Sequence, residues 1–577
     1  MNPIDNTEVE GAARIGAGVR LVIRLLGNRQ RLILVLLTLG RIAVGVCDLL
    51  LAAAMYLLFL MLQGRSTLHH LWWEPKTVLS AAVITTVLVV LRGLMDLLSA
   101  RSAFRQVQNL HTAFLLQLTE GYSQIQWGRF VECNRSELSA RALHSTREAA
   151  DFYHRCIELT ANVVIVAVMT AALVYQSPIA ACGLGLAVAA FYGGHRFLLR
   201  RKLQMAASSR EISLRMLQRN LADMFSSGKE IRAYGNQAFF QERIRQQAEH
   251  AAVNNLHVVF LPQFARIVAD QGTVLLFLFI VIAVELRQGD LTQLLSLLAF
   301  YFVLSRRLLP LISQISFLAG QMEGSYENVK IVDSELNECR VHRELALPVI
   351  LPDAGMAMQM IQLSFSFRGG ATILRDVNLC IGEGETIVLY GASGIGKSSL
   401  LNLIAGVSQP TTGAVRVDRA SIAYVPQEIP LLDDSIRNNL LFGLSGRSDE
   451  ELMKALEAAK LDEFVSAQPL GLDAGVGDNG ALFSGGERQR LGLARAILRG
   501  GRLLLLDEAT SALDAENEQQ VLENLSTSGK AILLVTHRVH TRTFGHRVFR
   551  LEEGSLIEEP RWELSTKELA SPAGALC

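Results

Sequence analysis

A chain of 577 residues that is 50% hydrophobic and 19% charged, with a mean hydropathy of +0.28, is too long for one ordinary domain and too apolar for a wholly soluble one. Its 55 basic and 55 acidic residues cancel, which excludes the basic surface of a nucleic-acid binder. The profile is that of a membrane protein, with its apolar runs concentrated before about residue 320.

Residues 1–30 lack the compact apolar core and small-residue cleavage site of a secretory signal, so they are expected to remain as a cytoplasmic N-terminal segment. Six stretches then meet the ~20 apolar residues that a membrane-spanning helix needs. They lie at about 32–62, 77–99, 157–175, 178–198, 258–285 and 291–316, and define an all-α membrane domain over 31–336. Short links at Tyr175–Pro178 and Glu285–Asp290 alternate with two long polar excursions, about 100–156 and 199–256, both helical by pattern. Arginine crowds the N-terminal segment (Arg14, Arg20, Arg24, Arg29) and both excursions, whereas the opposite links hold only Arg65, Lys76 and Arg287. That bias places both termini, the excursions and everything after the last span in the cytoplasm. The seven cysteines are scattered without metal-ligand spacing and read as free thiols.

The polar, then proline-containing stretch Asn337–Pro352 marks a boundary, after which an α/β nucleotide-binding domain is expected over 345–560, followed by a loose tail at 561–577. The apolar strand Thr386–Tyr390 runs directly into Gly391-Ala-Ser-Gly-Ile-Gly-Lys-Ser-Ser399. In this phosphate-loop spacing Gly391, Gly394 and Gly396 let successive backbone N–H groups turn toward an anion, with Ser393 and Ser399 in the same cradle. Lys397 reaches the β- and γ-phosphates, and Ser398 can place its hydroxyl on Mg²⁺. A second apolar run, Leu503–Leu506, delivers Asp507 and Glu508 at its C-terminal end, where open α/β sheets bind ligands. Asp507 suits Mg²⁺ and Glu508 suits the attacking water, so a nucleoside triphosphate with Mg²⁺ is the expected ligand.

Between these elements lies Leu482-Phe-Ser-Gly-Gly-Glu-Arg-Gln-Arg490, and here the chain resembles the ATP-binding cassette (ABC) family. The family pattern is Leu-Ser-Gly-Gly-Gln followed by x-Gln-Arg. This chain has Phe483 and Glu487 in place of the leucine and first glutamine, and keeps Ser484, Gly485, Gly486, Gln489 and Arg490. The resemblance implies further roles: Phe367 stacks on adenine, Gln427 senses Mg²⁺ and water, the Ser511–Asp514 loop crosses to a partner cassette, and His537 contacts the γ-phosphate. It also implies hydrolysis of ATP, with Glu508 polarising the water and Lys397 and His537 offsetting charge on the phosphoryl group.

Six helices with short outer and long inner connections resemble the ABC exporters, which pair two such chains. One chain has one phosphate loop and one Ser484-Gly485-Gly486 segment, so a second copy is the expected partner, with coupling helices near Gln126–Cys133 and Glu230–Gly235. A bacterial inner-membrane location is expected, in contact with membrane lipids. Four spans carry arginine, at Arg41, Arg92, Arg266 and the pair Arg306–Arg307, all in the cytoplasmic half. Two readings stand side by side. The arginines ion-pair with Asp48, Asp96 and Asp270 inside the bundle, or they ring an inner cavity that receives an anionic head group. The second suits an exporter or flippase of an amphipathic substrate, favouring an anionic lipid or lipid-linked oligosaccharide; the Leu261–Arg266 stretch and the Arg306–Pro310 turn are weakly similar to flippases of that kind. A peptide or multidrug exporter is the alternative, and an ATP-gated channel or sensor a different class. The absence of a peptidase domain before the first span disfavours an exporter that trims its cargo.

Overall fold

The structure, a computed structural model, describes residues 3–62, 77–176, 205–206, 209–210, 212–286, 291–344, 350–367 and 370–560. The expected fourth span, 178–198, and the tail lie outside the described residues. Packing divides the chain into two units: Met1–Ser123 with Asn134–Val341, and Gln124–Cys133 with His342–Cys577.

The first unit is helical. Among the described residues its long helices include Pro3–Leu25, Asn28–Leu62, Val78–Ser123, Thr146–Gln176, Gln237–Leu286 and Leu291–Val341. At ~1.5 Å per residue, the 46-residue helix Val78–Ser123 is about 69 Å long, more than twice a ~30 Å hydrocarbon core. The expected excursions are therefore the spans themselves continuing beyond the membrane. Side-chain burial inverts along this helix. Val83, Val87, Val90, Leu94 and Leu97 form an exposed apolar stripe, suited to lipid, whereas Ala103, Val107, Leu110, Phe114 and Leu118 are buried. Val107, Leu110, Phe114 and Leu118 pack with Phe152, Tyr153, Met322, Val329 and Val332, and with Val22 and Leu26 at the end of the N-terminal helix and just beyond it. Among the described residues, Asn28–Met55, Val78–Ser123 and Glu137–Tyr175 are long and apolar enough to cross a membrane, and the chain is an integral membrane protein.

One expectation is corrected here. The Arg306–Pro310 stretch is no turn: Leu291–Val341 stays helical through Pro310. Proline removes one backbone donor, and a helix among other membrane helices tolerates that loss. At the excursion tips, Trp127–Glu132 and Gly228–Tyr234 form short helices.

The second unit is an α/β sandwich of two sheets. Strands β1 (Met356–Ser366), β2 (Thr372–Gly382) and β4 (Thr412–Val417) make an antiparallel sheet in the order β2-β1-β4. The main sheet comprises β3 (Thr386–Tyr390), β5 (Ile422–Val425), β6 (Leu503–Asp507), β7 (Ala531–Val535), β8 (Arg547–Glu552) and β9 (Ser555–Glu559), ordered β5-β6-β7-β3-β8-β9. All but the edge strand β9 pair in parallel. Every residue of β6 and β7 is buried, which is why these strands read as unbroken apolar runs rather than alternating ones.

Candidate active site

The order β5-β6-β7-β3 sets the C-terminal ends of four parallel strands side by side, and each carries one of the singled-out segments. Val425 is in register with Leu506, Asp507 with Val535, and Leu389 with Val535. Gln427, Asp507, Glu508, His537 and the phosphate loop, up to 146 residues apart in sequence, thus come together at one sheet edge.

After β3 the loop turns sharply into the helix Lys397–Ile404, with Gly394 (φ +77°) and Gly396 (φ +116°) in backbone conformations that favour glycine. A Cβ on Gly396 would lie 2.5 Å from Ile373 Cγ2, so space as well as torsion demands glycine there. Ser393 and Gly394 are exposed, as is Ser398, while Gly391, Gly396 and Ser399 are half-buried. Lys397 is 6% exposed, and its Nζ donates to the carbonyls of Gly391 and Ala392 at 2.9 Å each. Burial holds this ammonium below its ordinary pKa, against the opposing pull of Glu508 and Asp507.

Asp507 ends β6 and is 4% exposed. Burial pushes its carboxyl above the usual range and the Glu508 charge adds to this, while a hydrogen bond with Ser398 and the charges of Lys397 and His537 oppose it. A buried carboxyl beside a serine hydroxyl is a hard-oxygen donor set of the kind Mg²⁺ takes alongside phosphate oxygens and water.

Glu508 stands at the centre. Its backbone is left-handed (φ +50°), an unusual conformation for a residue with a Cβ, and its N–H donates to Val535 O at 3.1 Å. One carboxylate oxygen accepts from Gln427 Nε2 at 2.9 Å, and the other pairs with His537 Nε2 at 2.7 Å. Residues following three neighbouring strands therefore converge on one carboxylate.

Ser484 caps the helix Gly485–Arg499: its hydroxyl accepts from Glu487 N at 3.3 Å, while the Glu487 carboxylate accepts from Ser484 N at 2.7 Å. This reciprocal box accounts for glutamate in place of glutamine, since either can close it and the charge also suits a helix N-terminus. Phe483 is 8% exposed and packs edge-on against Phe464, with ring centroids 5.2 Å apart, so the larger side chain fills the helical layer's core. A Cβ on Gly486 would lie 3.0 Å from Ala512 O. Asp514 caps the helix Ala515–Ser526 through Asn517 N at 2.8 Å, and Phe367 is exposed on one side of Phe365 with ring centroids 5.1 Å apart.

Arg538 and Glu518 escaped the sequence reading, and Gln489 was legible only as part of the family pattern, without a role. Gln489 donates to Glu508 O (3.3 Å) and Ser511 Oγ (2.9 Å) and accepts from Ala512 N (2.7 Å). Arg538 and Glu518 pair behind the same loop. The one available signal was Glu518 itself, a carboxylate in register with the helix's buried residues Val521, Leu522 and Leu525.

The membrane arginines are placed unevenly. Arg41 lies 2.8 Å from Asp96 and 3.4 Å from Glu158, and Arg92 lies 2.9 Å from Asp48 and 3.9 Å from Asp96. The Arg92–Asp96 pair runs along one helix, as its i,i+4 spacing suggested, whereas the closer contacts of Arg41 with Asp96 and Glu158 and of Arg92 with Asp48 cross between helices. Two guanidinium groups face three carboxylates, which leaves no net basic patch at this point. The side chains of Arg266, Arg306, Arg307 and Asp270 lie outside the described residues.

Residues 374–511 match the ABC transporter family. A heterocyst differentiation ATP-binding protein, HepA, of a Nostoc species is 31% identical over 58% of this chain and 57% of its own length. An ATP-dependent lipid A-core flippase of Pseudomonas aeruginosa is 30% identical over 57% and 56%, and one of Burkholderia pseudomallei is 40% identical over 36% and 38%. The chain thus matches between 38% and 57% of the length of these relatives. A solved bacterial Atm1-family ABC exporter with ATP bound superposes with a TM-score of 0.67 at 20% identity, covering 95% of this chain and 99% of that one. The match to the ABC transporter family lies within the second unit, and the chain as a whole shares the fold of that solved exporter chain.

Proposed function

Taking the chain as an ABC exporter half, we propose that two copies form an ATP-driven exporter or flippase that carries an amphipathic substrate outward from the cytoplasmic side of a bacterial inner membrane. The observation that carries this reading is the convergence of Gln427 and His537 on Glu508 beside Asp507, Ser398 and the phosphate loop. Phosphoryl transfer to water needs positioning and charge stabilisation more than covalent chemistry. Glu508 orients and polarises the attacking water, and Gln427 keeps its carboxylate aimed. His537 and Lys397 meet charge on the transferring phosphoryl group, with Phe367 stacked on the adenine. Ser398, Asp507 and Gln427 would hold Mg²⁺, which would supply charge neutralisation for the phosphates.

Each chain supplies one phosphate loop and one Ser484-Gly485-Gly486 segment, and nucleotide clamped between those of two copies closes the assembly symmetrically. Asp514 then lies on the loop that meets the partner. The short helices Trp127–Glu132 and Gly228–Tyr234 are the proposed transmitters of that closure to the membrane helices.

An anionic lipid or lipid-linked oligosaccharide is the favoured cargo, on the strength of the flippase relatives and of Arg266, Arg306 and Arg307 within the spans. Arg41 and Arg92 are engaged with carboxylates and serve this reading less. The test is ATPase stimulation of the full-length chain in liposomes by lipid A-like lipids, lipid-linked pyrophosphate sugars, peptides and cationic drugs. Anionic lipids should stimulate most, and Arg266→Ala and Arg306→Ala should weaken that response selectively. Equal stimulation by cationic drugs, indifferent to both substitutions, refutes the cargo assignment.

A further inference from the structure

We propose that Arg538 and Glu518 are a positioning pair that fixes the Ser511–Asp514 loop in register with His537, so that turnover depends on two residues that touch no nucleotide. The proposal rests on the ATPase reading above. Glu518 is 1% exposed, and an ionised carboxylate so placed is tolerated only when both oxygens are satisfied. One oxygen accepts from Thr510 Oγ1 at 2.6 Å and Thr541 Oγ1 at 3.3 Å; the other meets Arg538 at 2.5 Å and His540 Nε2 at 2.9 Å. Burial raises this carboxyl, but the hydrogen bonds from Thr510, His540 and Arg538 prevail and hold it below its ordinary pKa.

The second fork nitrogen of Arg538 donates to the carbonyls of Ser511 at 2.7 Å and Leu513 at 3.0 Å. Its own backbone N–H is fixed by Thr536 Oγ1 at 3.0 Å. The two carbonyls flank Ala512, whose N–H is held from elsewhere by Gln489 of the Gly485–Arg499 helix. The loop is thus gripped by the helix that Ser484 caps and by the strand end that presents His537. A merely stabilising core contact has no need of a charged fork that holds a carboxylate with one nitrogen and the carbonyls on either side of Ala512 with the other. Glu518 keeps that fork aimed, and Asp514, at the end of the gripped loop, is what the grip positions.

The experiment measures kcat, KM for ATP and melting temperature of the full-length chain in liposomes, for wild type, Arg538→Met, Arg538→Lys and Glu518→Gln. Arg538→Met should lower kcat roughly 10- to 100-fold, the range for a misplaced catalytic geometry, with KM unchanged. Arg538→Lys keeps a charge for Glu518 but loses the fork to the carbonyls. Its kcat should fall while its melting temperature stays near that of wild type, which keeps the test open if Arg538→Met fails to fold. Glu518→Gln should lower kcat as Arg538→Lys does, and should lower the melting temperature at neutral pH as well, because the ionised partner of Arg538 is lost. Full kcat in Arg538→Lys, or a loss in Arg538→Met confined to melting temperature, overturns the proposal and leaves the ATPase reading standing. A wild type that hydrolyses no ATP sinks that reading and this one with it.

Discussion

Replacing Glu508 by glutamine changes one atom at the point where three strand ends meet. In the wild type, one carboxylate oxygen accepts from Gln427 Nε2 at 2.9 Å and the other pairs with His537 Nε2 at 2.7 Å. The amide keeps the shape and can still accept from one of these groups, but its nitrogen is a donor and opposes the other unless His537 presents an unprotonated Nε2. The folded state therefore loses little more than one charge-assisted hydrogen bond, about 1.5–3 kcal/mol. The reaction loses its proton acceptor. Positioned general bases contribute ~10²- to 10⁴-fold, equivalent to roughly 2.7–5.4 kcal/mol of barrier. The assay is steady-state ATPase in liposomes beside nucleotide binding and a melting curve. Turnover should fall at least ~10²-fold while ATP binding persists and melting shifts only slightly. A variant that retains more than about a tenth of wild-type turnover refutes the assignment of Glu508 as the group that activates water.

A methyl on Gly501 would overlap the Ser421 carbonyl oxygen and lie 2.9 Å from Ala423 N. Gly501→Ala should therefore destabilise the cassette by about 1–3 kcal/mol, measured as a lower denaturation midpoint with KM unchanged in the surviving protein. In the membrane unit a Cβ on Gly45 would overlap Ile165, because small residues let packed membrane helices approach closely. Gly45→Val should lower the melting temperature in detergent, and adding Ile165→Ala should restore part of the loss; no restoration would show that the two do not share one contact. Glu518 contributes a pH dependence with a definite sign. Its folded pKa lies below the ordinary 4.5, so its stabilisation is complete above that ordinary value and is lost as pH falls through the depressed one. The stability gap between wild type and Glu518→Gln should be widest at neutral pH and close in acid; a gap independent of pH would mean that Glu518 is not ionised in the fold.

Periodicity and spacing carried the local structure. The unbroken apolar runs of β3, β6 and β7 are legible because strands buried on both faces have no polar side to alternate with. The phosphate loop is legible because left-handed backbone at Gly394 and Gly396 requires glycine wherever such a loop occurs. Phe483 and Glu487, unaccountable as departures from a pattern, became intelligible only through Phe464 and the Ser484 N–H. The membrane arginines show the boundary most clearly. Spacing along one helix suggested partners within it, which holds for Arg92 with Asp96 at 3.9 Å, yet Arg41 reaches Asp96 and Glu158, and Arg92 reaches Asp48 more closely, each on another helix.

What the sequence determined by itself was which segments are apolar enough to cross a membrane and which residue types can cradle phosphate, since both follow from properties of neighbours along the chain. The tertiary structure alone decided that Gln427, Glu508 and His537 share one carboxylate, and that Arg538 and Glu518 stand behind them. Those contacts depend on the order β5-β6-β7 within the sheet. Strand order is settled by how whole strands and their crossover helices bury one another, a balance spread over the entire unit that no local run of residues records.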